Sequence, residues 1–247
     1  MDPMTDTCPL IIAHRGYSAR FPENTLASFE AAAAAGAPML ELDVTLSRDR
    51  QVVVIHDDTL ERTTSGNGRV SDHSLSALQE LDAGSWYDSR FAGQRIPLLE
   101  QVMDALLPGT MINVEIKVSA FEDSPPADAI ERQVLALSRR FGALEKILVS
   151  SFEMRFLERL CSAEPSLRLA WISEVPLDDT TCRRLEALEA FSWHPDFKIL
   201  DAEQVGRAHA RGLRVFPWTV NSQEESRELF ALGIDGLITD DPVRIAG

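Results

Sequence analysis

Acidic and basic residues interrupt two short apolar segments at every second position. Glu41 and Asp43 alternate with Leu and Val, and Glu115 and Lys117 alternate with Val and Ile. A period of two places each pair on one face of an extended strand. Carboxylates that lie close together repel each other and raise a pKa unless a cation lies between them. The pattern predicts one divalent ion bound by Glu41, Asp43 and Glu115, and oxygen ligands suit either Mg²⁺ or Ca²⁺.

The same pattern has two simpler explanations. Glu41 and Asp43 could face solvent on an edge strand, because half-buried strands also alternate. The flanking Leu and Val residues argue against that position. Glu115 and Lys117 could form an ordinary ion pair on a strand surface, where such pairs are common.

Two histidines directly follow apolar segments. His14 follows residues 10–13, and His56 follows residues 52–55. In a barrel, side chains at the carboxyl ends of the strands surround the active-site mouth. Two histidines at such ends, beside a carboxylate cluster, predict a general acid and a general base that work near neutral pH.

Two basic residues stand next to these groups. Arg15 follows His14, and Lys117 lies two residues after Glu115. Arginine binds a phosphate through its planar fork, whereas lysine acts as a point charge. We therefore interpret Arg15 and Lys117 as phosphate-binding residues. A salt bridge from Arg15 to a neighbouring glutamate is the structural alternative.

Strand-like and helix-like segments alternate along most of the chain. Segments typical of strands are residues 10–13, 39–44, 52–55, 111–118, 146–150, 167–172, 190–193, 213–218 and 236–239. Segments typical of helices are residues 25–35, 127–141, 153–163, 178–188, 201–211 and 223–232. This alternation predicts an α/β fold with a parallel sheet. About eight units in 247 residues fit one (β/α)₈ TIM barrel, spanning residues 1–247 as a single domain. A doubly wound sheet is the competing fold, but no Gly-x-Gly-x-x-Gly turn follows the first strand.

One region lacks the alternating pattern. Residues 57–97 are rich in Ser, Gly, Asp and Thr, with one short helical candidate at residues 75–81 after Ser74. We expect an insertion at about residues 59–95, after the second strand region, which projects over the carboxyl end of the barrel. Long ordered loops of this kind are often functional.

Composition excludes several classes of function. The chain has 24 Lys and Arg against 39 Asp and Glu, a formal charge of −15. That charge argues against nucleic acid and anionic membranes, which are bound by clustered cations. No apolar segment approaches the roughly 20 residues of a membrane helix. The acidic start lacks the pattern of a signal peptide, and Cys8, Cys161 and Cys182 show no metal-ligand spacing. A cytoplasmic protein with reduced thiols and no membrane anchor is expected.

The chain resembles the glycerophosphodiester phosphodiesterase family, most closely its cytoplasmic bacterial branch. The resemblance runs from near residue 10 to near residue 242. It is carried by His14-Arg15-Gly16, Pro22-Glu23-Asn24-Thr25, Glu41-Leu42-Asp43, His56-Asp57, Glu115-Ile116-Lys117, Trp218-Thr219-Val220-Asn221 and Asp235-Gly236-Leu237-Ile238-Thr239-Asp240.

The resemblance implies a TIM barrel with a small insertion after the His-Asp motif, and the same roles for the residues above. The metal carboxylates match Glu41, Asp43 and Glu115, the catalytic histidines match His14 and His56, and the phosphate-binding residues match Arg15 and Lys117. Trp218 would line the glycerol side of the pocket, although packing in the barrel core is an equal alternative. Asn24 is interpreted mainly as a helix cap, and residues 240–242 mainly as a turn.

The implied reaction is metal-dependent hydrolysis of a small glycerophosphodiester to glycerol 3-phosphate and an alcohol. Two alternatives stay open. A lysophospholipase D would need an apolar entrance, and a barrel that only binds a polyol phosphate would not need both histidines and all three carboxylates. The head group, the choice between Mg²⁺ and Ca²⁺, the assignment of acid and base and the oligomeric state are not determined by the sequence.

Overall fold

A computed structural model describes residues 9–107 and 109–246, so the chain start and Cys8 lie outside the described residues. The strands are β1 (Leu10–Ala13), β2 (Met39–Leu46), β3 (Val52–Val54), β4 (Met111–Ile116), β5 (Ile147–Ser151), β6 (Arg168–Ser173), β7 (Ser192–Pro195), β8 (Arg214–Val215) and β9 (Gly236–Thr239). The helices are α1 (Leu26–Ala34), α2 (Leu75–Leu78), α3 (Leu99–Leu106), α4 (Ile130–Arg140), α5 (Met154–Ala163), α6 (Asp179–Ala187), α7 (Ala202–His209), α8 (Gln223–Ala231) and α9 (Pro242–Ala246).

Eight of these strands form a nearly closed parallel barrel. Their order around the sheet is β8-β7-β6-β5-β4-β2-β1-β9. The seam between β8 and β9 is bridged by the amides of Asp235 and Ile238, which donate to the carbonyls of Val215 and Pro217 at 3.2 and 2.9 Å. The predicted TIM barrel is confirmed, and the doubly wound sheet is excluded because the sheet closes on itself.

The inside of the barrel is apolar at its amino end and polar at its carboxyl end. The apolar interior consists of Leu10, Ile12, Met39, Met111, Leu148, Ala170, Phe216 and Ile238. A larger apolar core lies between the strands and the surrounding helices. Polar side chains that follow the carboxyl ends of the strands are therefore supported by a packed layer beneath them.

Three elements differ from the sequence prediction: β3, α3 and the short helix α9, which was not predicted. β3 is not a barrel strand, because it pairs antiparallel with β2, with Val54 opposite Val44. His56 therefore does not occupy a place equivalent to that of His14. α3 was not predicted; its start has no Ser, Thr, Asp or Asn cap, and the Gln101 side chain instead accepts from the Leu98 amide at 2.8 Å.

The predicted insertion lies between β3 and α3 and has its own small core. Ser74 caps the short helix α2, as its position predicted. The core consists of Val53, Ile55, Leu60, Val70, Leu78, Ala83 and Ile96. The Tyr87 hydroxyl donates to the Ala19 carbonyl at 2.7 Å, which joins the insertion to the loop that follows β1. Within the described residues, the helices are too short or too polar to cross a bilayer.

Candidate active site

Three carboxylates from the neighbouring strands β2 and β4 converge on one place. Ligand atoms of Glu41, Asp43 and Glu115 lie within 4.8 Å of one another. The strands are neighbours, and Asp43 pairs in register with Glu115. Glu41 and Asp43 are only 3% and 1% exposed, on a strand flanked by β1 and β4. The edge-strand explanation is therefore wrong.

The electrostatics of this cluster suit a bound cation. Burial, together with Asp43 and Glu115, holds the pKa of Glu41 well above its ordinary value. Burial and Asp43 also raise the pKa of Glu115. The Oε1 atom of Glu41 is buried without a hydrogen-bond partner. An unpaired carboxylate oxygen beside two more carboxylates fits the all-oxygen ligand set of Mg²⁺ or Ca²⁺.

Lys117 is part of the same cluster. Its Nζ lies 2.9 Å from Glu115 Oε1 and 3.4 Å from Asp43 Oδ1, with the lysine side chain only 15% exposed. Burial alone would lower the pKa of Lys117, but Asp43 and Glu115 together raise it. The Glu115–Lys117 ion pair is present but does not lie on a strand surface, because Lys117 is largely buried and contacts two members of the triad.

Arg15 is held by a turn that depends on glycine. Arg15 has a φ of 55° and Gly16 a φ of 84°. A Cβ atom on Gly16 would lie 2.7 Å from the Ser28 backbone carbonyl carbon, so no larger residue fits against α1. The turn points the Arg15 amide at Glu41 Oε2, at 2.9 Å. The backbone amide of Arg15 therefore positions Glu41, one of the three candidate metal ligands.

The Arg15 guanidinium contacts two carboxylates. Its NH1 donates to Glu23 Oε1 at 2.8 Å, and its Nε lies 3.4 Å from Asp43 Oδ2. Burial would lower the pKa of Arg15, but Asp43, Glu23 and Glu41 together raise it. Arg15 therefore forms the salt bridge to a neighbouring glutamate that the sequence offered as an alternative. It also lines the central cavity, where a phosphate-binding residue is expected.

His14 is anchored by a carboxylate from the opposite end of the chain. Its Nδ1 lies 2.6 Å from Asp240 Oδ1. Burial would raise the pKa of Asp240, but hydrogen bonds from His14, Asn221 and Ser18 lower it to about 2. An ionised carboxylate only accepts, so His14 Nδ1 must donate and Nε2 is left free. The prediction that residues 240–242 are mainly a turn was wrong for Asp240.

His56 is anchored in the same way from a different element. Its Nδ1 lies 2.7 Å from Asp57 Oδ1, which leaves Nε2 free. Arg62 and then His56 lower the pKa of Asp57 to about 2. Burial lowers the pKa of His56 below its ordinary value, an effect that Asp43 partly opposes. The lowered pKa favours the neutral form of His56, in which the free Nε2 can accept a proton.

Both histidines line one cavity of about 310 Å³ at the carboxyl end of the barrel, together with Glu41 and Glu115 of the acidic cluster. Trp218 lines it as well, and its ring contacts that of Phe152 edge-on at 5.8 Å. The Trp218 indole donates to the His194 carbonyl at 2.9 Å, so the ring orientation is fixed. Trp218 is half-buried and also packs against the barrel interior. It therefore lines the pocket and packs in the barrel core, the two positions that the sequence left open.

Several residues of the site, among them the cavity-lining Asn113 and His194, were not recognised from the sequence. Asn24 is not the cap of α1, because Thr25 is; Asn24 instead donates to Asp43 Oδ2 at 2.8 Å. Asn113 lies two residues before Glu115, so the period-two pattern already placed it on the same face. His194 is fully buried, and its Nδ1 has no hydrogen-bond partner. Its position directly after the predicted strand at residues 190–193 was the one sequence feature that could have placed it in the site.

Comparison with known proteins identifies the family. A model of the glycerophosphoryl diester phosphodiesterase family matches residues 14–244. The chain belongs to this family. A glycerophosphodiester phosphodiesterase of Caldanaerobacter subterraneus subsp. tengcongensis is 37% identical over 234 residues, which cover 94% of each chain. One from Bacillus altitudinis is 34% identical, with 95% of each chain covered.

A solved structure also matches this glycerophosphoryl diester phosphodiesterase fold. It is that of an Oleispira antarctica phosphodiesterase in complex with the product sn-glycerol-3-phosphate. The TM-score is 0.84 at 31% identity, and the match covers 96% of this chain and 95% of that one. The predicted family, fold and phosphodiesterase activity are thereby confirmed, while the roles of single residues stay predictions.

Proposed function

We propose that this chain hydrolyses small glycerophosphodiesters to glycerol 3-phosphate and an alcohol, with a divalent cation at Glu41, Asp43 and Glu115 and with His14 and His56 as the acid–base pair. The observation that carries the proposal is the pairing of two histidines with ionised carboxylates around one cavity that Glu41 and Glu115 of the acidic triad also line. Membership of the family and the product bound to the Oleispira antarctica relative support it.

The chain's own residues account for the proton transfers. Each histidine presents a free Nε2, because its Nδ1 is held by a carboxylate. In the proposed first step, one histidine removes the proton from the substrate's own glycerol hydroxyl, which attacks phosphorus. The other histidine protonates the departing alcohol, and a cyclic phosphate remains. Water then opens the ring with the histidine roles reversed, which gives glycerol 3-phosphate.

The basic residues and the cation deal with the negative charge of the phosphodiester. Arg15 and Lys117 line the cavity beside the triad and would bind the phosphate oxygens. A bound divalent ion would supply further neutralisation of charge as it develops on those oxygens. Lys117 Nζ also limits repulsion between Asp43 and Glu115, which lets both carboxylates stay close enough to share one ligand.

Release of glycerol 3-phosphate from glycerophosphocholine, with and without a chelator, tests the proposal. Turnover should disappear with chelator and return with Mg²⁺ or Ca²⁺. Each of His14→Ala and His56→Ala should lower kcat by about 10²-fold or more. His209→Ala is the matched control, because His209 is exposed and contacts Asp235 next to the start of β9. Wild-type-like turnover in either histidine variant would remove that histidine from the mechanism.

A lysophospholipid is a second candidate substrate, and one observation favours it. Val118, Phe152 and Val175 are exposed apolar residues on the loops that follow β4, β5 and β6. Phe152 itself lines the cavity, and Val118 and Val175 directly follow lining residues in the sequence, so these side chains could accept an acyl chain. A parallel assay with lysophosphatidylcholine distinguishes the two substrates. Faster release of choline from the lysophospholipid than from glycerophosphocholine would favour the second.

A further inference from the structure

We propose that Arg62, which the insertion contributes, is a positioning residue that holds His56 and Arg15 in one fixed arrangement. This inference rests on the proposed function, in which His56 moves protons and Arg15 binds the phosphate. Arg62 itself is not among the residues that line the cavity. It would therefore act through its partners and not by contact with the substrate.

The Arg62 guanidinium binds two carboxylates from two different parts of the chain. Towards Asp57, Nε donates to Oδ2 at 2.6 Å and NH2 donates to Oδ1 at 3.0 Å. Towards Glu23, NH1 donates to Oε2 at 2.7 Å and NH2 donates to Oε1 at 2.8 Å. Both interactions use two parallel hydrogen bonds, a geometry that only the planar fork of arginine provides.

Each carboxylate passes this constraint to a residue of the cavity. Asp57 Oδ1 contacts His56 Nδ1 at 2.7 Å, and Glu23 Oε1 accepts from Arg15 NH1 at 2.8 Å. The result is a continuous chain of hydrogen-bonded groups, His56–Asp57–Arg62–Glu23–Arg15. The insertion supplies the central cation of this chain of hydrogen-bonded groups, Arg62.

Charge balance explains why the hydrogen-bonded series from His56 to Arg15 should come apart without Arg62. Hydrogen bonds from Arg62 keep both Glu23 and Asp57 ionised, since they lower the pKa of each carboxylate. If the guanidinium is removed, two anions that shared one cation face each other. Asp57 and Glu23 would then separate, and the His56 ring and the Arg15 fork would lose their fixed positions.

The two ends of the chain predict two separable defects. Asp57→Asn disturbs the histidine end, so kcat should fall while the affinity for sn-glycerol 3-phosphate changes little. Glu23→Gln disturbs the arginine end, so product affinity and KM should weaken more than kcat. Arg62→Ala should show both defects, because it connects the two ends. A residue that only stabilised the fold would produce no such division.

The experiment measures kcat and KM with glycerophosphocholine, and the Kd of sn-glycerol 3-phosphate by calorimetry, on the metal-loaded enzyme. Arg62→Ala should lower kcat about tenfold or more, since small misplacements of catalytic groups are costly. It should also weaken product binding about fivefold. Arg62→Lys should recover only part of each loss, because an ammonium group cannot span four oxygens. Arg69→Ala is the matched control, an exposed insertion arginine that lies 3.8 Å from Asp58.

A spectroscopic readout separates this inference from the proposed function. In ¹H–¹⁵N spectra, wild-type His56 should show a protonated Nδ1, and Arg62→Ala should change that signal while Arg69→Ala should not. If wild type hydrolyses no glycerophosphodiester, the proposed function fails and this spectrum still tests the contact chain. If Arg62→Ala does not fold, Arg62→Lys and Asp57→Asn carry the same comparison. An Arg62→Ala protein that matches Arg69→Ala in kcat, product Kd and His56 signal overturns the inference.

Discussion

Replacement of Asp240 by asparagine should remove most of the turnover while the fold is kept. The two carboxylate oxygens accept from three donors: His14 Nδ1 at 2.6 Å and Ser18 Oγ at 3.0 Å reach Oδ1, and Asn221 Nδ2 reaches Oδ2 at 2.6 Å. An asparagine offers one oxygen, and its amide nitrogen is itself a donor. Either Asn221 or His14 would then face a donor instead of an acceptor.

The size of this effect follows from the pKa of Asp240. The surrounding donors lower that pKa from 3.8 to about 2 despite burial. That lowering corresponds to roughly 2 to 3 kcal/mol in favour of the ionised form. The side chain is 32% exposed, so solvent screening leaves about 1–2 kcal/mol. Because 1.4 kcal/mol is tenfold in rate and a disfavoured tautomer adds to it, kcat should fall about 10- to 100-fold.

The assay compares Asp240→Asn with Asp241→Asn in steady-state release of glycerol 3-phosphate from glycerophosphocholine. Asp241 is the matched control, because its Oδ1 accepts from the Arg244 amide within α9 and does not contact His14. Thermal melting by circular dichroism shows that both variants fold. If Asp240→Asn keeps kcat within threefold of wild type, then Asp240 does not set the orientation of His14.

The barrel and the acidic triad could be predicted from the sequence because their patterns are local and periodic. Alternation along β2 fixes the shared face of Glu41 and Asp43, and the parallel register then places Glu115 directly beside Asp43. A barrel has only one polar end on its inside, so inward-facing charges near strand ends must meet. Strand period and barrel closure together are therefore sufficient to assemble this part of the site.

The supporting residues could not be predicted, because local chemistry offered a sufficient explanation for each. Asn24 precedes a helix, and asparagine is a common cap, yet its amide reaches Asp43 across the chain. Asp240 precedes a proline-containing segment typical of a turn, while its partner His14 is 226 residues away. Long-range hydrogen bonds leave no periodic signal. The antiparallel course of β3 was missed for a similar reason, since three consecutive valines fit either direction of pairing.

Three further predictions test the site and its scaffold. Glu41→Gln should weaken binding of Mg²⁺ or Ca²⁺ in calorimetry and raise the melting temperature without metal, because burial and two neighbouring carboxylates disfavour its charge; unchanged affinity would exclude Glu41 as a ligand. Gly16→Ala should lower the free energy of unfolding more than Gly36→Ala does, by about 1 kcal/mol or more. Both glycines have a positive φ, but only Gly16 is crowded by Ser28. Burial lowers the pKa of His194 to about 3, so the folded protein keeps it neutral while the unfolded chain takes up a proton below pH 6.5. Stability should therefore fall with decreasing pH, and between pH 6.5 and 4.5 this residue should cost about 2 kcal/mol. Urea titrations should show a correspondingly smaller loss for His194→Gln but not for His73→Gln, a half-buried histidine of the insertion. Equal losses in all three proteins would mean that His194 is protonated in the folded state.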